Sequence, residues 1–310
     1  MVVYDVMYYG KEGLPEHENL TVVEGDIRDT IKIREALNGV EAVVHLACIS
    51  NDPSFELDPS LGKSINFDCF EPMLEACKDA GVKRFINVSS SSVYGVSEAP
   101  SVTEEHPLKP LTDYSKFKAM CEDVLEKRGG SGLCWVTVRP ATVCGYSTRL
   151  RLDLSINILT NLAVNNRKIT VFGGTQKRPN IHIDDIAELY VELLAMPADK
   201  INRKVYNAGY ENFTIAELAS MIRKVVEEEF PDKAPIEIVT TPTDDLRSYH
   251  VNSDKIRREL GYSPKRTLDD AVRGLCRAFA EGKIPDSLTD DRYFNVRTMK
   301  TSNAAAAAKP

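Results

Sequence analysis

Tyr114 and Lys118 stand four residues apart in a helix-like segment, residues 111–127, and Ser90 lies 24 residues ahead of Tyr114 at the end of a strand-like run, Phe85-Ile86-Asn87-Val88. On a helix, positions i and i+4 share a face, so the phenol and the ammonium project the same way. A neighbouring cation favours phenolate and brings a phenol with an ordinary pKa of about 10 toward the working range of a base. The serine hydroxyl adds a hydrogen bond to the same reacting oxygen. Together these groups suit removal of a proton from a sugar or alcohol hydroxyl while a hydride leaves its carbon. Alone, the Tyr-x-x-x-Lys spacing is weak, because solvated helix faces produce it by chance.

The elements that must position these groups follow an alternating plan. Strand-like runs occur at 2–4, 20–23, 42–45, 85–88 and 134–138, and helix-like segments at 30–37, 59–80 and 111–127 separate the later ones. That alternation predicts an α/β fold, a parallel sheet wrapped by crossover helices. Past Tyr146 it loosens: short strands are expected at 169–172, 205–207 and 236–239, and helices at 184–195, 214–228, 253–260 and 268–280. The pattern reads as one domain over 1–146 plus about 182–208, with a smaller interleaved C-terminal lobe over 147–181 plus 209–284. The remainder, 285–310, is expected to bury little and to form a partly disordered tail.

Composition sets outer bounds. A chain of 310 residues with 43% hydrophobic and 27% charged content buries a sizeable core as a soluble globular protein. A net charge of −7 argues against nonspecific nucleic-acid binding. No apolar run reaches membrane-spanning length and no signal-peptide pattern opens the chain. The seven cysteines form no Cys-x-x-Cys pair, which favours reduced core thiols in a cytoplasmic protein and no metal site.

The surroundings of the Ser–Tyr–Lys set make it specific. Val88-Ser89-Ser90-Ser91-Ser92-Val93-Tyr94-Gly95 precedes it and Val138-Arg139-Pro140-Ala141-Thr142-Val143 follows it, each after a strand-like run. In content and order the chain resembles the extended short-chain dehydrogenase/reductase family, the NAD-dependent nucleotide-sugar epimerases and dehydratases, from Met1 to about Phe279. The resemblance implies a Rossmann-like doubly wound sheet, NAD as cofactor, a nucleotide-diphosphate sugar as substrate and a homodimer. It implies that Ser90, Tyr114 and Lys118 are catalytic, the last two also holding the cofactor.

Other residues take expected roles from their places in that plan. Asp5 ends the first strand, where an acid accepts hydrogen bonds from the adenosine ribose and disfavours a 2′-phosphate; a solvated strand-end aspartate is the alternative. The resemblance places Asp26 and Ile27 beside the adenine, whereas Gly25-Asp26 alone reads as an ordinary turn. Leu46, Ala47 and Cys48 follow the fourth strand of the family order, at the carboxyl edge where ligands bind, although core packing explains them nearly as well. Asn66 matches a family asparagine that steadies the cofactor region, and Pro140 one that lies near the nicotinamide. Ser91, Thr142, Arg178 and Arg247 match substrate-facing positions; two guanidinium groups from distant segments would suit a diphosphate. Cys144 reads as a buried thiol, and His182 as a helix cap. Arg149 and Arg151 read either as gates of the cleft or as solvated loop charges.

The front departs from the family. Such folds open with a strand, a glycine-rich turn and a helix whose N-terminus holds the pyrophosphate. Here Val2-Val3-Tyr4-Asp5 resembles the family's second strand, so the first βα unit, about 25–30 residues, is missing by comparison and Met1 reads as an internal start. Two unpaired sheet edges are expected in consequence.

The expected reaction is epimerisation at sugar C4. Tyr114 removes the 4-hydroxyl proton as hydride passes to NAD, the 4-keto sugar rotates, and hydride returns to the other face. Family dehydratases usually carry Asp-Glu directly after the catalytic hydroxyl residue, whereas this chain carries Ser91-Ser92, which disfavours 4,6-dehydration. Sugar 4-dehydrogenation and ketosugar reduction use the same triad and stay open. A catalytically silent binding or regulatory member is the alternative of another class.

Overall fold

A computed structural model describes residues 1–310 except 98, 131, 244–247, 249 and 308–310, with backbone alone for 302–307. Among these residues the strands are β1 (Val2–Asp5), β2 (Thr21–Glu24), β3 (Ala42–His45), β4 (Arg84–Val88), β5 (Cys134–Pro140), β6 (Thr142–Cys144), β7 (Lys168–Phe172), β8 (Lys177–His182), β9 (Lys204–Ala208), β10 (Glu211–Thr214) and β11 (Glu237–Thr241).

The central sheet is parallel, in order β3-β4-β5-β9. Successive strand side chains point to opposite faces. Phe85 and Trp135 therefore join Leu74, Cys77, Cys121 and Leu125 on one face, while Ile86, Val136 and Val138 join Ile186, Leu189 and Leu193 on the other. Helices Phe70–Asp79 and Asp113–Arg128 cover the first face and helix Ile183–Ala195 the second. A parallel strand buried on both faces reads as a continuous apolar run, which is why Phe85-Ile86 lacks polar alternation.

β1 and β2 form a separate parallel pair, with Asp5 opposite Glu24. Among the described residues β1 pairs only with β2, and β3 only with β4, so each keeps an unladdered side. Tyr4, Ile27 and Val40 pack into the apolar cluster under helix Phe70–Asp79, which fastens the pair to the main sheet.

The second lobe combines the ladders β10-β8-β6 and β11-β7 with helices Ser155–Asn166, Ile215–Glu229 and Leu268–Ala280 around one apolar cluster. Its strands interleave with the main sheet, because the chain returns to the central sheet at β9 after forming β8.

Several features depart from the sequence reading. Helix Ser155–Asn166 and strands β6, β8 and β10 were not expected. Asn157, Thr160 and Asn161 are buried on that helix's inner side, so its apolar periodicity is broken. The segment 59–80 is not one regular helix: it runs through Pro59–Lys63, a π-helical stretch Ser64–Asp68, and Phe70–Asp79. The end of the chain also buries more than expected. Helix Asn295–Ala307 forms there, with Asn295, Thr298 and Met299 buried. The Asn295 backbone N–H donates to Asp153 Oδ2 at 3.1 Å, and its side-chain amide donates to Ser50 Oγ at 2.9 Å. These partners lie far away in sequence, so composition alone could not show them.

Candidate active site

Ser90 leaves β4 in extended conformation and caps the short turn Ser91–Tyr94. Its Oγ accepts from the Ser92 N–H at 3.1 Å and shares a hydrogen bond with Ser92 Oγ at 2.9 Å. The turn closes at Gly95, with φ +68°, where an added Cβ would lie 2.0 Å from the Lys109 carbonyl oxygen; only glycine passes there.

Helix Asp113–Arg128 begins with a capping box between Thr112 and Ser115, carries Asp113 in its first turn and Lys127 and Arg128 in its last. This cap fixes where the helix starts, and so places Tyr114 in the first turn with Lys118 one turn beyond. Lys118 is buried; its Nζ donates to the Val88 carbonyl at 2.8 Å and lies 6.0 Å from the Tyr114 ring centroid. Burial pushes the Tyr114 phenol up, to about 12, against the downward pull of the Lys118 ammonium and a hydrogen bond from Ser90. Burial pulls Lys118 down, but Cys48 and Tyr114 beside it more than offset this, so it titrates above an ordinary lysine. The three expected catalytic side chains are thus brought together.

His45, at the end of β3, is not a second base. Burial, with Lys118 nearby, holds its imidazole down to about 3, and its ring packs 5.4 Å from that of Phe70. It is a neutral core residue.

The cofactor-side residues divide into those that face the site and those that hold it. Asp5 lies exposed at the carboxyl end of β1, with one carboxylate oxygen accepting from the Met7 N–H at 2.6 Å. The Asp26 carboxylate is paired with Arg28 at 2.6 Å, and this keeps its pKa down. Tyr4 lies across Gly25, where a Cβ would fall 2.4 Å from the phenol oxygen, and donates to the Asp26 carbonyl at 2.8 Å. Ile27 is half-buried behind this turn and Leu46 is exposed, with Ala47 and Cys48 half-buried after it. Pro140 ends β5, half-buried and opposite Ala208.

Asn66 acts through the backbone of the loop after β3. It is buried, accepts from the Ile49 N–H at 2.8 Å and donates to the Ile49 carbonyl at 2.9 Å, so its amide holds the loop after β3 rather than a ligand. Asn66→Leu should leave both Ile49 groups unpaired, at about 1–3 kcal/mol each. Urea unfolding measures this; a loss below about 1 kcal/mol would show that the clamp is not needed.

On the substrate side, Ser91 also departs from expectation. It is 2% exposed, inside the turn, and the half-buried Ser92 is the hydroxyl beside Ser90. Thr142 is half-buried in β6, opposite Asn180 of β8. Arg178 is half-buried in β8 and donates from Nη1 to the Lys177 carbonyl at 3.1 Å. Arg247 lies outside the described residues. Burial pushes the Cys144 thiol up, and the His182 ring accepts from the Asp184 N–H at 3.1 Å as a helix cap.

Arg149 and Arg151 are not solvated loop charges. Arg149 stacks on Tyr9 at 3.5 Å from the ring centroid and donates to Asn295 Oδ1 at 2.6 Å; Arg151 pairs with Asp153 at 2.9 Å. Arg149 Nη1 and Arg151 Nη2 are buried without a hydrogen-bond partner. Arg151 also lowers the Tyr114 phenol pKa, so its charge reaches that hydroxyl. Tyr9 and Asn295 were not anticipated, because nothing local in either segment signals the contact.

A sequence profile of the NAD dependent epimerase/dehydratase family matches residues 5–209. The chain belongs to this family. It is 28% identical over 278 residues to a UDP-glucose 4-epimerase of Bacillus subtilis, covering 82% of this chain and 80% of that protein. It is 29% identical over 259 residues to a dTDP-glucose 4,6-dehydratase of Streptomyces griseus, covering 83% and 76%. Among solved structures, a dTDP-glucose 4,6-dehydratase of Streptomyces venezuelae with NAD and TYD bound superposes with TM-score 0.79 at 25% identity, over 91% of this chain and 88% of that one. A UDP-glucose 4-epimerase of Thermotoga maritima gives TM-score 0.80 at 24% identity, with 91% of each chain covered, and so shares the fold.

NAD is the family cofactor, and two ends of a site for it fit this chain. The Asp5 carboxylate suits an adenosine ribose, and the Ser90–Tyr114–Lys118 cluster suits a nicotinamide ribose and a reacting hydroxyl.

Proposed function

We propose that the protein is an NAD-dependent nucleotide-sugar 4-epimerase. The observation that carries this reading is the turn after Ser90, which sets hydroxyls, not carboxylates, beside the Tyr114–Lys118 pair. Tyr114 takes the proton of the sugar 4-hydroxyl and later returns it. Lys118 lowers the cost of the phenolate, and Ser90 hydrogen-bonds the reacting oxygen. Asp5, Asp26, Ile27, Leu46, Ala47, Cys48 and Pro140 line the cofactor side; Ser92, Thr142, Arg178 and Arg247 serve the nucleotide sugar. Bound NAD would supply a reversible hydride acceptor for the sugar carbon.

The 29% identity to a 4,6-dehydratase supports a second reading, and cofactor and product analysis separates the two. The protein should convert UDP-glucose to its 4-epimer, seen by NMR, with no net NADH. Loss of water to a 4-keto-6-deoxy sugar would establish the dehydratase instead, and steady accumulation of NADH a dehydrogenase.

The seven free cysteines, with no disulfide, fit a reducing cytoplasm. Among the described residues no helix is long and apolar enough to cross a membrane. Helices Phe70–Asp79 and Asp113–Arg128 fit a homodimer contact. Phe70, Met73 and Leu74 are buried in the protein's own core, and Phe117 stacks on Phe67 at 5.6 Å. Met120 remains 42% exposed, and Phe67, Pro72 and Val124 line an open depression of about 470 Å³. Light scattering at micromolar concentration should give twice the chain mass, and Met120→Glu should shift it toward the monomer.

A further inference from the structure

Tyr114, Lys118 and Glu122 recur at every fourth position of helix Asp113–Arg128, and so share one face. Lys118 and Glu122 each bond a different residue at the end of β4. Lys118 donates to the Val88 carbonyl at 2.8 Å, and Ser89 Oγ donates to Glu122 Oε1. The helix is therefore docked on Val88 and Ser89 by two rungs, of which only the first involves a residue of the proposed chemistry.

The second rung is itself fixed from behind. Glu122 and Arg139 are 8% and 6% exposed and pair at 2.6 Å, with Arg139 Nε also donating to both Glu122 oxygens, at 3.1 and 3.2 Å. Arg139 Nη1 donates to the Tyr94 hydroxyl at 2.7 Å, and Tyr94 donates to Asn207 Oδ1 at 2.7 Å. The pair thus joins both ends of the turn carrying Ser90, through Ser89 and Tyr94, to the catalytic helix and to β5.

We infer that Glu122, held by Arg139, is a positioning residue that sets the register of the catalytic helix against the Ser90 turn. The inference rests on the reading of Ser90, Tyr114 and Lys118 as the reacting set. A buried pair is a poor source of net stability, and replacing both members by apolar residues is often neutral or stabilising. Its value here is geometric, since displacement of a reacting group by about 1 Å costs on the order of a hundredfold in rate.

Two variants test this in the full chain, with UDP-glucose as substrate and thermal melting alongside. Ser89→Ala removes the rung and leaves the ion pair. The double variant Glu122→Met/Arg139→Met removes the pair without leaving a buried charge. Both should melt close to the parent, keep KM for UDP-glucose, and lose kcat by roughly ten- to a hundredfold. Parent-like kcat in both variants, or a kcat loss that merely tracks a lower melting temperature, would overturn the inference. Tyr114→Phe is run in the same assay. If it too turns over like the parent, the reading of the site falls and the inference falls with it. If it alone is inactive, only the inference falls.

Discussion

Tyr114→Phe is expected to lower kcat by about 10²–10⁴ while NAD affinity changes far less. The hydroxyl is the group that carries the proton, whereas the ring makes the packing contacts. The ring is half-buried in a cluster with Ile49, Phe55 and Ile65, and phenylalanine keeps that shape. The melting temperature should therefore stay near that of the parent. Steady-state kinetics with UDP-glucose, together with an NAD titration, checks the split. Turnover near the parent level would show that another group moves the proton. His45 is a poor substitute, since burial and Lys118 hold its imidazole down to about 3 and it is neutral across the working range.

The placement of Tyr114, Lys118 and Ser90 was legible because their spacing is local. Four residues on a helix fix the common face of Tyr114 and Lys118, and a strand end fixes Ser90. The central sheet was legible for a similar reason: β3, β4 and β5 are short apolar runs bounded by turn residues. What could not be read depends on which polar groups find one another. Asn66 was placed as a residue that steadies the site, but that its amide does so through the backbone of Ile49 shows only in the fold. Ser91 and Ser92 look equivalent in sequence, and only the turn geometry turns one inward and leaves the other beside Ser90. Helix Ser155–Asn166 hides its inner face behind asparagines; Asn157 accepts from the Gly145 N–H at 3.0 Å and donates to the Arg151 carbonyl at 2.8 Å. A buried amide that bonds backbone breaks the apolar period as surely as a surface residue does. The same limit applies to Asn295, whose partners at Ser50, Arg149 and Asp153 lie more than a hundred residues away.

Lys118→Met is expected to harm both proton transfer and cofactor binding. The ammonium is one of the forces that pull Tyr114 down against burial, so its removal moves the phenol pKa further up. At neutral pH the phenol lies on the protonated side, and each further unit of pKa lowers the phenolate fraction about tenfold. The alkaline rise of the pH–rate profile should therefore move to higher pH. Part of the lost turnover should return as pH increases, which distinguishes this variant from Tyr114→Phe, where no phenol remains to titrate. Lys118 also donates to the Val88 carbonyl, so methionine leaves that group unpaired beside Ser90. An uncharged side chain cannot donate to a ribose hydroxyl, and NAD should bind more weakly than in the parent or in Tyr114→Phe. The decisive measurement is kcat against pH for parent and Lys118→Met, with NAD titrated into each. A profile whose rise stays at the parent pH would mean that the ammonium does not tune the phenol. Unchanged NAD affinity would remove Lys118 from the cofactor site.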